Sequence, residues 1–497
     1  SYPHHSKYRL PWSMGGIKMF NSIEINSDSQ YKLLNIEESQ YCDVKSEMID
    51  PSKLSQTISA FANASGGDIY VGINENTHTK ERYFGGFISI EETNKYIQVM
   101  ESLEGLNANY DITYLHIKNN HYLMQITVFK TNSIVKSSDS TIYIRKGAQN
   151  IKINDPDKIK RLEIDKGIFP YENETVPESD IQDAIGSKIY DIFYHAVIPN
   201  IEKYTWLRTQ KLCIDSNLNI AGVMLFTDEP QIVLPKRSAI KIFRYKTTKT
   251  GSRDTLDGNP ITIEGSAYDQ IYASVQKVKS IIESIKKFDT TFSDISYPET
   301  TIHEIITNAV LHRDYSIAKD IQVRIYDNRV EVESPGKLAG HITLKNILFE
   351  QFARNPKIVR LINKFPNPPN KDVGEGLNTA FKAMKELRLK QPEIIETETS
   401  VIVIIKHEKL SSPEETIMNY MKSHSEITNK IGREITGIES ENVMKRVFWK
   451  LRDAQMLEMI PNRKGSKSAW QLVQGANVDE YIEREQLEYE QLSLFEE

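Results

Sequence analysis

The sequence predicts a multidomain α+β protein. Three observations carry that reading. The chain has 497 residues, enough for several domains at about 100–200 residues each. Segments with apolar residues at helical spacing alternate with short period-two runs. The region from Glu414 to Val473 reads as three helices followed by two short strands.

Composition narrows the class. Apolar residues make up 39% and charged residues 26%, as in globular proteins. Two cysteines, Cys42 and Cys213, cannot build a disulfide framework or a four-thiolate zinc site, so a reducing, cytoplasmic setting is expected. The longest aliphatic run, Val401 to Ile405, is far short of the roughly 18 residues that span a bilayer. No membrane partner is expected. The net charge of −6 means that any nucleic-acid contact rests on local patches.

Taken in order, residues 1–21 read as a flexible extension, without periodicity. A first α+β domain is expected over 22–154. Its strands are Tyr41–Lys45, Asp68–Ile73, Tyr122–Phe129 and Thr141–Arg145, and its helix is Pro51–Asn63. Residues 155–178, charged and ending near Pro170, read as a linker. A mixed region, 179–295, has helical spacing over Ser179–Ile198 and Ala267–Lys287 and strand alternation over Ala239–Tyr245. Over 296–410 a helix from Pro298 to Val310 precedes strands Ile321–Ile325, Val330–Glu333 and Val401–Lys406. Residues 411–476 read as a winged helix-turn-helix. The end, 477–497, sets eight carboxylates against Arg484 and reads as a solvated tail or an amphipathic docking peptide.

Chemistry concentrates in two places. On the helix from Pro298, Glu304 and Asn308 stand four apart, hence on one face. Glu333, Ser334, Pro335 and Gly336 end a strand in a tight turn, Arg354 follows, and Gly374 and Gly376 precede another helix. Glycines there expose backbone N–H groups at a positive helix end, which suits phosphates. This ordered set resembles the ATP-binding module of GHKL-type ATPases, in the form called RecG C-terminal-type. The resemblance implies an α/β sandwich binding ATP with Mg²⁺, in which Asn308 ligates the ion, Glu304 orients water, and Gly336, Arg354, Gly374 and Gly376 contribute to the nucleotide site. The aspartate with which such enzymes read adenine is not evident, with Glu333 or Ser334 in its place, and the second glycine-rich loop is short. No Gly-x4-Gly-Lys-Ser/Thr motif for a helicase motor occurs.

Nearer the start, Glu37 and Glu38 precede the strand ending in Asp43, Val44 and Lys45; Ser59-Ala-Phe-Ala-Asn63 and Gly66-Gly67 follow, then Glu75 and, later, Tyr143-Ile-Arg145. This order resembles the AlbA-type domain of the Schlafen group over about 130 residues. The resemblance implies a nucleic-acid protein and, in its nucleases, a metal triad that falls on Glu38, Asp43 and Glu75, loaded with Mg²⁺ or Mn²⁺. Strand alternation puts Asp43 and Lys45 on one face, a carboxylate beside an ammonium able to steady attack at phosphorus. Asn63, His116 and His121 read as turn and surface residues.

In the last module, Lys445, Arg446, Lys450, Arg463 and Lys464 are the candidate nucleic-acid contacts. Val443, Val447, Phe448 and Leu451 form the expected core stripe and leave Trp449 and Trp470 as exposed anchors. The combined expectation is an ATP-binding, Schlafen-like metal-dependent nuclease acting on RNA or DNA, homo-oligomeric, with a slow ATPase and a role in bacterial defence. The alternative is a non-catalytic, ATP-responsive regulator of transcription.

Overall fold

The computed structural model describes residues 21–117, 120–198, 200–287, 293–294, 297–369, 377–386, 389–406, 412–436, 438, 440–463, 465 and 468–484. The chain divides into two compact units, residues 1–387 with 391–407, and residues 388–390 with 408–497.

The first unit opens on a five-stranded sheet in the order Asn21–Glu24, Tyr110–Ile117, His121–Val128, Gly67–Val71, Cys42–Lys45. Strands Cys42–Lys45 and Gly67–Val71 run parallel, which requires a crossover; the helix Pro51–Asn63 provides it. That helix starts where the Asp50 carboxylate accepts the Ser52 and Lys53 N–H groups and Pro51 takes the first turn, a cap of the kind that contributes about 1 kcal/mol. Its inner face, Leu54, Ile58, Phe61 and Ala62, is fully buried in the core. Gly66 reverses the chain at φ +73°, where a Cβ would stand 2.6 Å from the Val128 carbonyl, so no other residue fits without rearrangement. The hairpin Ile142–Lys146 and Gln149–Ile153 packs on the same helix.

Residues 155–178 are not an open linker. They hold a helix, Pro156–Asp165, and both Lys166 and Glu172 are buried. The Glu172 carboxylate accepts the Lys357 and Ile358 N–H groups at 2.7 and 3.0 Å, capping the helix Pro356–Ile362. The helical stretch expected over Ser179–Ile198 is two helices, Ile181–Ile185 and Lys188–Val197, split where Ser187 caps the second.

A six-stranded sheet follows, in the order Ile261–Ile263, Ile240–Arg244, Ile321–Ile325, Arg329–Pro335, Ser400–Lys406, Glu393–Glu396. A boundary at residue 296 would cut through it, since Ile240–Arg244 pairs in parallel with Ile321–Ile325. The helices Ala267–Glu283, Glu299–His312 and Leu377–Glu386 lie side by side, and Glu299–His312 packs on Arg329–Pro335. Sheet plus helices on one face make the α/β sandwich.

Among its described residues the second unit has the helices Pro413–Met421, Asn429–Thr436 and Glu441–Asp453, an antiparallel sheet ordered Ile427–Thr428, Ala469–Leu472, Leu457–Met459, and a further helical stretch over 478–484. Met444, Val447, Phe448 and Leu451 supply the core stripe, while Val443 is exposed. Trp470 is buried and stacks on Phe448 at 5.4 Å rather than serving as an anchor; Trp449 is exposed. The core extends past residue 476, taking in Tyr481 and Ile482. The rest of the acidic tail, 485–497, lies outside the described residues.

Candidate functional site

A cavity of about 540 Å³ lies where the helix Glu299–His312 crosses the sheet. Its walls include Asn308, Ala309 and His312 from that helix, Val332 and Ser334 from one strand, Val401 and Val403 from the next, and much of the segment Lys337–Ala353. Its size falls in the range of small-molecule sites.

Asn308 donates from Nδ2 to Glu304 Oε1 at 3.0 Å. That bond uses one of the two amide N–H groups and orients the side chain, whose carbonyl oxygen is a hard donor of the kind that Mg²⁺ takes. Glu304 itself is buried and is not among the wall residues; it holds Asn308. Alternation along Arg329–Pro335 settles the choice between Glu333 and Ser334. Ser334 faces the cavity and donates to the Ala309 carbonyl at 2.8 Å. Glu333 points to the other face, paired with Arg324 at 2.7 Å and accepting from Ser400 at 2.8 Å. Burial opposes its ionisation, but those two donors hold its pKa below the ordinary glutamate value. Glu333 therefore does not line the cavity.

Gly336 lines the cavity at φ +105°, and a Cβ there would stand 2.7 Å from Asp314 Cβ. Arg354 is buried beneath it, paired with Asp314 at 3.3 Å and donating to the Lys337 carbonyl. It supports the turn and is not a wall residue. Gly374 and Gly376 lie outside the described residues, but Leu377 and Asn378, which open the next helix, line the cavity. The first described turn of that helix thus borders the space. The sequence reading gave no role to His312 or Lys337, which also reach the cavity. His312 is exposed toward the cavity, yet close packing around its ring and the Arg354 cation lower its pKa to about 4; solvent in the cavity moderates that shift, and at neutral pH the imidazole is uncharged.

The acidic set near the start is arranged differently from a metal triad. Asp43 is 1% exposed. Its Oδ1 accepts the Val44 N–H at 2.8 Å and Lys45 Nζ at 2.7 Å, and its Oδ2 accepts Arg145 at 2.8 Å. Lys45 does share its face, as alternation predicts. Glu38 faces Arg82 at 3.6 Å, Glu75 pairs with Lys80 at 3.2 Å, and Arg82 stands opposite Glu75 in the hairpin Ile73–Glu75 and Arg82–Phe84. Cations of the protein itself occupy the neighbourhood expected for a metal. Among the described residues no three His, Cys, Asp or Glu side chains converge as a metal site, so these carboxylates do not fit the ion as they stand. Asn63 is a buried brace, giving Nδ2 to the Val135 and Tyr143 carbonyls at 2.8 and 2.9 Å and accepting the Val135 N–H at 2.8 Å.

In the second unit, Lys445 pairs with Glu441 at 2.7 Å, Lys450 with Glu414 at 3.3 Å and Arg463 with Glu426 at 2.8 Å. Arg446 lies on the same helix, and Lys464 lies outside the described residues. Carboxylates partly neutralise the surface expected to meet phosphates. Among the described residues no helix is long and apolar enough to cross a membrane.

Comparison with known proteins supports the two domain types. The family model HATPase_c_4, recG C-terminal, matches residues 318–405, beginning just after the helix that carries Glu304 and Asn308. The model Schlafen, AlbA_2 matches residues 38–154. No curated protein matches the chain. Among solved structures, the DIP2311 protein from Corynebacterium diphtheriae is similar at 16% identity, covering 92% of this chain and 98% of that one, with a TM-score of 0.39. The chain thus carries a Schlafen AlbA_2-type domain followed by a RecG C-terminal-type, GHKL-like domain.

Proposed function

We propose that this is an ATP-binding nucleic-acid protein in which the cavity beside Asn308 takes the nucleotide with Mg²⁺ and the AlbA-type domain binds RNA or DNA without cutting it. The observation that carries the nucleotide reading is the Asn308–Glu304 hydrogen bond at 3.0 Å in the wall of a cavity that Leu377 and Asn378 also line. Asn308 would hold the ion through Oδ1, and the start of the helix Leu377–Glu386 would meet phosphates. Ser334 and neutral His312 offer polar contacts without charge, suited to a base.

Binding without cleavage is favoured because both Asp43 oxygens are engaged by cations and a backbone N–H. A metal would have to displace a buried guanidinium, leaving that charge unpaired. The three helices from Pro413 to Asp453 and the small sheet of the second unit are read as a winged helix. The test is incubation of the full chain with labelled tRNA, single-stranded DNA and duplex DNA, with and without Mn²⁺ and ATP. Retarded, intact nucleic acid is expected. Mn²⁺-dependent cleavage that disappears in Glu38→Ala while its unfolding midpoint stays that of the wild type would restore the nuclease reading. Calorimetry with ATP–Mg²⁺ tests the cavity, and absence of binding would end that assignment.

A further inference from the structure

The cavity wall Lys337–Ala353 is tied to the AlbA-type domain. Lys130, two residues beyond the strand His121–Val128, donates from Nζ to the carbonyls of Leu338 and Ile342 at 2.7 and 2.9 Å. Both acceptor residues line the cavity. Asn132 Oδ1 bonds His341 Nδ1 at 2.8 Å, and the Asp165 carbonyl accepts the Gly340 N–H at 3.0 Å. Phe352, another wall residue, lies so close over Gly167 that a Cβ there would stand 2.2 Å from its ring. On the other side, Arg161 pairs with Asp314, the residue on which the Gly336 turn rests.

From Lys130 the contacts continue inward. The Thr131 N–H donates to the Ala62 carbonyl at 3.1 Å, and Lys166 Nζ bridges the Ala62 and Thr131 carbonyls at 3.1 and 2.8 Å. Asn63, the next residue, braces Tyr143; Arg145, two further along that strand, holds Asp43. Polar contacts, part-buried at Lys130 and Tyr143 and linked through short runs of backbone, therefore join the cavity wall to the strand that bears Asp43 and Lys45. Wall segments of irregular backbone are the parts of a fold most easily displaced, so an anchor on one sets the shape that a ligand meets.

We propose that Lys130 is a positioning residue of the nucleotide cavity, and that through it nucleotide occupancy and nucleic-acid binding by the AlbA-type domain are coupled. The inference rests on the nucleotide and nucleic-acid readings above. Coupling of this kind is reciprocal and typically changes affinity by about 5- to 150-fold.

The test uses the full chain. Hydrogen exchange of the wild type with ATP–Mg²⁺ should slow over 337–353 and also over 130–132 and 142–146. Calorimetry should give Lys130→Met a Kd for ATP–Mg²⁺ at least about fivefold weaker. ATP–Mg²⁺ should shift the affinity of the wild type for fluorescent single-stranded DNA or tRNA, and leave that of Lys130→Met unchanged, a difference that loss of packing alone would not produce. If the wild type binds ATP but protection stays within the cavity and nucleic-acid affinity ignores nucleotide, the coupling is wrong and the cavity reading stands. If the wild type binds no ATP, both fall. Should Lys130→Met fail to fold, the two wild-type measurements decide.

Discussion

The carboxylate of Asp43 meets the guanidinium of Arg145 at 2.8 Å, with each side chain only 1% exposed. One residue comes from the first crossover strand and the other from the closing hairpin, so the pair stitches sequence-distant elements across the AlbA-type domain.

Removing one partner should cost far more than removing both. Asp43→Ala leaves Arg145 buried without its counter-charge, and breaking a buried pair in this way costs about 3–5 kcal/mol. Denaturant unfolding should show a large drop in midpoint for Asp43→Ala and partial recovery in Asp43→Leu/Arg145→Met. A native-like midpoint for Asp43→Ala would mean the pair is not structural.

Asn308→Ala should weaken Mg²⁺-dependent nucleotide binding strongly, and Glu304→Ala less, since Glu304 acts by holding Asn308. In the wild type, ATP at about 100 times its Kd should add roughly 2.7 kcal/mol of stability, visible as a raised Tm. Equal Tm shifts in wild type and Asn308→Ala would remove Asn308 from the site.

Gly336→Ala should abolish the ATP-dependent Tm rise. The positive φ disfavours any L side chain, and the new methyl would press on Asp314 Cβ at 2.7 Å. Unchanged ATP affinity in this variant would show that the turn can move without harm to the cavity.

Acid should loosen the fold through His312. Its folded pKa, about 4, lies below the ordinary 6.5, so between those values the unfolded chain takes up the proton and the folded one does not. Stability is therefore complete above about pH 6.5 and falls as pH drops toward 4. The ring also faces the open cavity, which moderates the loss. His312→Gln should flatten this part of the stability curve, read by urea unfolding at a series of pH values; an identical curve would clear His312 of the effect.

Elements with strong local signals were legible in the sequence. The helix Pro51–Asn63 carries its own cap and proline, and Ile321–Ile325 alternates cleanly, so both stand where expected. The helix Pro156–Asp165 reads as linker in the sequence because few of its residues are apolar and its value lies in capping and pairing with distant residues. The same limit applies to the sites. Spacing put Glu304 and Asn308 together, and alternation put Asp43 beside Lys45, because both are local. That Arg145 would close on Asp43, or Arg82 stand by Glu38, depends on pairs 102 and 44 residues apart in the chain, for which no period exists.

The parallel pairing of Ile240–Arg244 with Ile321–Ile325 over five residues bears on how this protein can be dissected. A fragment cut to begin near residue 296 keeps the cavity helix but strips that neighbour. Ile321, Val323 and Ile325 are fully or almost fully buried in the intact sheet; in the fragment their strand becomes an open edge, a template on which copies add to one another. Fragments meant to stay monomeric must start upstream of Ala239, and those that do not should be recovered as aggregates whatever their nucleotide affinity.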